Sequence, residues 1–245
     1  MSRPRATSDR LLTAATDLFA RRGFHGTSIR EIAERAGANV AAGHYHYGSK
    51  KGLYLQVLRH QFARVRATLD RDGPLAASRV LRTLPRRELV ALLVRRIEAM
   101  VTILLAPPLQ PHGALMLREM CDPTDAMPII VREFIRPQSS EMAAIVACLV
   151  PGAGRTVVER SVRSIVGQVL FYRFTMPAVL LMLGRPTYSR HFTRQIATHI
   201  VEFSLGGLTR VGRPGTVTRR PRPYVGRTRE RSRRAPARRR RARAR

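Results

Sequence analysis

Hydrophobic residues recur at intervals of three and four along nearly the whole chain, and nowhere do they alternate with polar ones for long. That period belongs to helices, so the pattern predicts an all-α protein. Leu11, Leu12, Ala15, Leu18 and Phe19 give one inner face over Ser8–Arg22, and Gly23 follows as a left-handed cap would. Ser28 with Glu31 three residues on is a capping box. The helix it starts turns Ile29, Ile32 and Ala33 inward and stops at Gly37. A third short helix is expected over about 39–47. Gly48 and Ser49 then open a long fourth one, about 50–69, with Leu53, Tyr54, Val57, Leu58, Phe62 and Val65 on one side.

Asp72-Gly73-Pro74 breaks the chain, and a second helical region follows. Helices are expected near 86–105, 113–120, 123–149, 155–174 and 187–208. Pro151, Gly152, Gly184 and Pro186 mark turns between them. Pro137 should kink or divide the third, and Pro177 should interrupt the chain before the apolar run 178–183. The longest uncharged stretch, 99–117, contains Pro107, Pro108, Pro111 and Gly113, so it reads as a bend between two helices and not as a membrane span. No secretory signal is read in the polar Met1–Asp9, and a soluble, cytoplasmic protein is expected. At 245 residues the chain can bury a core without disulfides, and Cys121 and Cys148 form no metal-binding spacing.

Charge narrows the partners. Lys and Arg number 45 against 16 Asp and Glu, a formal +29, which points to nucleic acid or another polyanion. Residues 211–245 hold 15 Arg and one Glu, with four prolines and no apolar stripe. That tail is expected to be disordered. The expected division is a DNA-binding unit over 1–50, a connecting helix and linker over 51–74, a helical unit over 75–210, and the tail.

Two short helices joined by a Gly-containing turn and propped by a first helix have the plan of a helix-turn-helix. The second of the pair enters the major groove and reads Asn39-Val40-Ala41-Ala42-Gly43-His44-Tyr45-His46-Tyr47. Its small residues Ala41, Ala42 and Gly43 allow close approach, and Asn39, His44, Tyr45 and His46 supply polar reach. Lys50 lies at the start of the next helix, where its ammonium and the backbone N–H groups suit a phosphate.

The segment from Gly23-Phe24 and Gly26-Thr27-Ser28 through Ile32-Ala33, Ala36-Gly37, Tyr45-His46-Tyr47 and Ser49-Lys50 to Leu53 resembles the DNA-binding domain of TetR/AcrR-type transcriptional regulators. Further along, Leu117-Arg118-Glu119-Met120 with Pro123-Thr124, and Ser164-Ile165-Val166-Gly167-Gln168 with Phe171-Tyr172-Arg173, are similar to the CecR-like subgroup. The resemblance implies a homodimeric, ligand-responsive repressor on a palindromic double-stranded operator, with a small-molecule effector site and the dimer interface in the C-terminal domain. By the same resemblance Thr27, Ser28, Tyr45 and Lys50 would contact phosphates, and Val40, Ala41, Ala42, His44 and His46 would face bases. The chain departs from the family at Gly43, where a bulky apolar residue is usual, and at His44, where the subgroup often has Asn.

Other candidates carry two readings each. His44 and His46 point about 200° apart on a helix, so they do not share an ion, and no metal or other cofactor is expected. Tyr47 is read mainly as core, and Ser28 as both cap and phosphate contact. Arg118 and Glu119 sit in an otherwise apolar helix. They would line the effector pocket with Met116 and Met120, or serve as structural or solvent-exposed charges. Gln168 and Tyr172 share a face and suit the pocket or the dimer interface equally. Ile165 and Val169 on one helix, with Phe192, Ile196, Ile200 and Phe203 on another, are expected to build a four-helix interface between two copies. No catalytic constellation is found, so no enzymatic activity is expected. The rival reading is a nonspecific nucleic-acid binder driven by the Arg tail.

Overall fold

A computed structural model describes residues 3–70, 78–105 and 111–212. The Asp72-Gly73-Pro74 break and nearly all of the basic tail lie outside those residues. Among the described residues there is no strand, and the helical periodicity is realised throughout. The first four helices are α1 (Arg3–Arg22), α2 (Ile29–Arg35), α3 (Val40–Tyr47) and α4 (Lys50–Leu69). After the short α5 (Ser78–Leu81) come α6 (Arg86–Leu105), α7 (Pro111–Cys121) and α8 (Met127–Ile130). A π-helical turn over Val131–Ile135 leads into α9 (Arg136–Leu149), and α10 (Arg155–Phe174), α11 (Met176–Leu183) and α12 (Arg190–Val211) complete the order.

The two prolines singled out in the sequence act differently. Pro137 has no N–H to give and its ring crowds the carbonyl four residues back. The ladder therefore slips to the wider spacing over Val131–Ile135, with Arg136 N–H reaching the Val131 carbonyl, and the helix continues without a break. Pro177 stands in the first turn of α11, where a missing N–H costs little, and the chain bends by 65° between α10 and α11. No single helix among the described residues is long and apolar enough to cross a membrane.

Two cores organise the fold. The first joins Leu11, Leu18 and Phe19 of α1 to Ile32, Ala33, Leu53, Tyr54 and Val57, and takes in Leu115 of α7 and Ile130 of α8. The second is built on α6, which packs against α9, α10 and α12. Ile165, Val169, Ile196 and Ile200 all belong to this second core and are fully buried in one protomer. The expectation that they form the interface between copies is thereby corrected. Their faces are already covered by α6, and the large apolar faces that suggested a second copy are used within a single chain.

A charged network ties α4 to this second core. Arg96, buried on α6, reaches Glu141 of α9 at 3.0 Å, the Leu69 carbonyl at 3.3 Å and Asp70 at 3.5 Å. Arg66 of α4 bonds the same Asp70 and Glu141. The cation in mid-helix at Arg96 was the sequence signal for such a cluster, since a charge on a buried face needs partners.

Candidate nucleic-acid interface

The reading helix is held in place from both ends. At its start the Asn39 side chain accepts from Ala41 N–H at 3.0 Å. At its end Tyr47 donates to the Ser8 carbonyl at 2.9 Å and accepts from the Ser8 hydroxyl at 2.8 Å, which pins α3 to α1. Gly48 takes φ +71, and Ser49 caps α4 through Gly52 N–H at 3.0 Å. Gly52 is required by sterics: a Cβ there would lie 2.1 Å from the Tyr47 carbonyl oxygen. The α3–α4 corner is thus as tight as the backbone allows. Before it, the Ser28–Glu31 box forms reciprocally: Ser28 N–H donates to Glu31 at 2.8 Å and Glu31 N–H to the Ser28 hydroxyl at 3.2 Å.

The outward face of α3 consists of Val40, Ala41, His44 and Tyr45, with Asn39 leading in. Tyr45 is 84 % exposed, the extreme expected of an aromatic ring that waits for a partner. His44 donates from Nδ1 to the Gly48 carbonyl at 3.2 Å. A carbonyl can only accept, so Nδ1 carries a hydrogen, and the tautomer with that one N–H leaves Nε2 as an acceptor. His46 is half-buried between the rings of Tyr45 and Tyr47.

Three positions differ from expectation. Gly43 is buried and faces α2, where a Cβ would meet Ile29 Cγ2 at 3.4 Å, so it lies on the packed side of α3 and not on the side that approaches a groove. Ala42 is partly buried against the same core. Thr27 is only 2 % exposed, and its hydroxyl donates to the Gly23 carbonyl at 2.9 Å, so the side chain closes the turn after α1 and is not presented to solvent. Lys50 leans its ammonium over the Phe24 ring at 4.5 Å, a resting place from which the head remains accessible at the start of α4. Arg30, exposed on the first turn of α2 with no ion pair among the described residues, is a cation the sequence reading passed over; its place two residues after the Ser28 cap was the available signal.

The candidates in the C-terminal region fall in separate places. Arg118 donates from Nε to the Ala20 carbonyl at 3.1 Å and from a terminal nitrogen to Arg21, capping α1 from outside. Glu119 is buried; it accepts from Tyr54 at 2.6 Å and from the Thr124 hydroxyl at 2.9 Å and N–H at 3.2 Å. Burial pushes the Tyr54 phenol well above its ordinary range, and the Glu119 carboxylate adds to the shift. Both charges are therefore engaged in holding α7 to the first core. Met116 packs on that core, and Met120 is exposed. On α10, Gln168 donates to the Ser204 hydroxyl at 3.2 Å, and the Tyr172 carbonyl accepts from Tyr188 at 3.1 Å.

Residues 11–57 match the family described as bacterial regulatory proteins, tetR family, and residues 89–208 match the C-terminal domain of the HTH-type transcriptional dual regulator CecR. The chain belongs to the TetR family of transcriptional regulators. The CecR protein of Shigella flexneri is 26 % identical to this regulator over 204 residues, 81 % of its chain and 91 % of the relative. RutR of Escherichia coli K12 is 41 % identical over 71 residues, 27 % of this regulator and 34 % of RutR. A transcriptional regulator of Pseudomonas aeruginosa PAO1 has the same fold, with a TM-score of 0.59 at 20 % identity over 87 % of this chain and 97 % of the other. The helix-turn-helix of this DNA-binding regulator is the stretch whose geometry is given above.

Proposed function

We propose that the regulator is a ligand-responsive repressor that binds a palindromic operator as a homodimer. The observation that carries the DNA-reading half is the outward face of α3: one small residue, Ala41, flanked by Val40, His44 and Tyr45, on a helix clamped at both ends. A clamped helix loses little freedom on entering a major groove, and an Nε2 acceptor at His44 matches the exocyclic amine of adenine or cytosine. Tyr45, Lys50 and Arg30 border that face and supply phosphate contacts, with the start of α2 contributing backbone N–H groups near Ser28. Phosphate contacts fix position, and the α3 face reads sequence.

The homodimer is supported by what the second core leaves outside. Phe171 and Phe174 of α10, Leu181 and Met182 of α11 and Phe203 of α12 are all exposed. Five large apolar side chains on adjoining helices form the kind of patch that a second copy covers. Two reading heads held by such an interface match successive major-groove segments about 34 Å apart, and an effector acts by favouring another spacing.

Footprinting on the DNA upstream of the regulator's own gene tests this. A single protected site with two-fold sequence symmetry is the expected result. Uniform protection that follows only the salt concentration would replace it with nonspecific binding through the Arg-rich tail.

A further inference from the structure

Two arginines, Arg64 and Arg173, flank the buried His112 where the second half of α4, the start of α7 and the end of α10 meet, and no carboxylate among the described residues pairs with either. His112, in the first turn of α7, is 9 % exposed, and its Nε2 pairs with the Ile103 carbonyl at 3.1 Å. Burial lowers its pKa from the ordinary range, and the neighbouring charges of Arg64 and Arg173 lower it further. Arg173 of α10 lies against Gly113, where a Cβ would be 3.5 Å from its Nε and 3.7 Å from a terminal nitrogen. Among the described residues that Nε is buried without an acceptor, and the guanidinium bonds the Met176 thioether at 3.9 Å. Arg64, exposed on α4, makes no ion pair among the described residues.

The uncharged surroundings are short of partners as well. Gln61 is 3 % exposed and its Oε1 meets no donor. Tyr54 touches Glu119 near the end of α7, and Arg64 acts on His112 at its start, so α4 and α7 run antiparallel and Gln61 lies along the same seam. The fully buried Arg96, by contrast with the half-buried Arg173, has two carboxylates. A guanidinium drawn from water without an acid is costly, and the positive end of α7 adds to the charge.

We infer that this junction binds the acidic group of the effector, an oxyanion of the carboxylate or phosphate class, on Arg173 with Arg64 beside it. Arg173 offers a planar fork suited to two oxygens, and Gln61 accepts from a hydroxyl or N–H on the rest of the ligand. The inference rests on the reading of the protein as effector-responsive. It also gives that reading a route. The anion sits on the first turn of α7, and Arg118 and Glu119, about 9 Å further along the same helix, hold α1 and α4. A small shift of α7 toward the anion therefore reaches the reading head through contacts already made.

The full-length regulator is titrated calorimetrically with acetate, hexanoate, benzoate, inorganic phosphate and phenyl phosphate, with hexanamide and benzamide as neutral counterparts. The expected result is one site per chain for at least one acid and none for its amide, with carboxylate and phosphate arms telling which oxyanion is preferred. Arg173→Met weakens that acid about tenfold or more, and the exposed Arg64→Gln weakens it while leaving the fold intact. Arg87→Gln, an exposed and unpaired arginine on α6, leaves binding unchanged and controls for general attraction to a basic protein. Equal binding of acids and amides, no binding of any acid, or acid binding unmoved in Arg64→Gln and Arg173→Met would overturn the inference. Operator anisotropy on the same samples separates the two readings. Loss of operator binding by wild type without any ligand contradicts the DNA reading, and intact operator binding with no acid site contradicts only the anion site.

Discussion

At the scale of single residues, the reading head separates side chains that hold the fold from those free to meet DNA. Ser28, Thr27, Asn39 and Tyr47 have their polar groups committed to caps and turns, whereas His44 Nε2, Tyr45, Lys50 and Arg30 do not. Lys50 is the simplest case, since its ammonium rests on an aromatic face and gives up only that contact to reach a phosphate. Lys50→Ala should weaken binding to operator and random duplex by a similar factor and lower the salt slope by about one. Anisotropy titrations at several salt concentrations check this, and a loss confined to the operator would mean that Lys50 reads bases. The sequence made most of these residues visible because capping boxes and Gly-marked turns are local patterns. Thr27 and Gly43 escaped it because their burial is decided by the neighbouring helix, and a Thr or Gly looks the same in a sequence whether it faces a groove or Ile29.

Among the elements, the joints matter more than the helices. The helix bounds follow apolar periodicity and were legible within a few residues for most of the described helices, the one-turn α5 excepted. What was not legible is how α7 and the π-helical turn attach to the first core. Arg118, Glu119 and Glu133 find partners 65 to 98 positions away in the chain. Periodicity has no means of pairing residues so far apart. Arg59 of α4 grips Glu133 through two hydrogen bonds of 2.9 and 3.1 Å, and with Arg132 it holds the Glu133 carboxyl down to about 2 from an ordinary 4.5. A carboxyl lowered in the folded state contributes stability that is complete above its unfolded value and lost as pH falls through the folded one. Urea unfolding between pH 5 and pH 2 should therefore show a smaller loss for Glu133→Gln than for wild type, the difference appearing below about 4.5. Parallel pH profiles would mean that the pair contributes nothing to folding, as is common for ion pairs in contact with solvent.

For the whole molecule, the question is which apolar surface belongs inside one chain and which between two. Apolar periodicity on α10 and α12 suggested an interface between copies, and the packing of α6 divides those faces: Ile165, Val169, Ile196 and Ile200 are covered, and Phe203 is 66 % exposed. Phe192 lies between, partly buried on the same core. The account therefore makes a paired prediction. Phe203→Arg should give a folded monomer, its stability per chain within about 0.5 kcal/mol of the wild-type protomer, while Ile200→Arg should leave a charge in the core and unfold the protein. Light scattering with circular dichroism reads both, and a Phe203→Arg protein that stays dimeric would place the interface elsewhere.

The central claim is that the outward face of α3 selects DNA sequence. Selection of duplexes from a random pool by wild type and by His44→Ala tests it most directly, because the tail and the phosphate contacts are the same in both. The account predicts that wild type enriches a two-fold symmetric sequence, and that His44→Ala loses preference at one base pair in each half-site, a discrimination of about 1–3 kcal/mol. Enrichment of no sequence by wild type, or the same sequence with the same strength by both proteins, would contradict it.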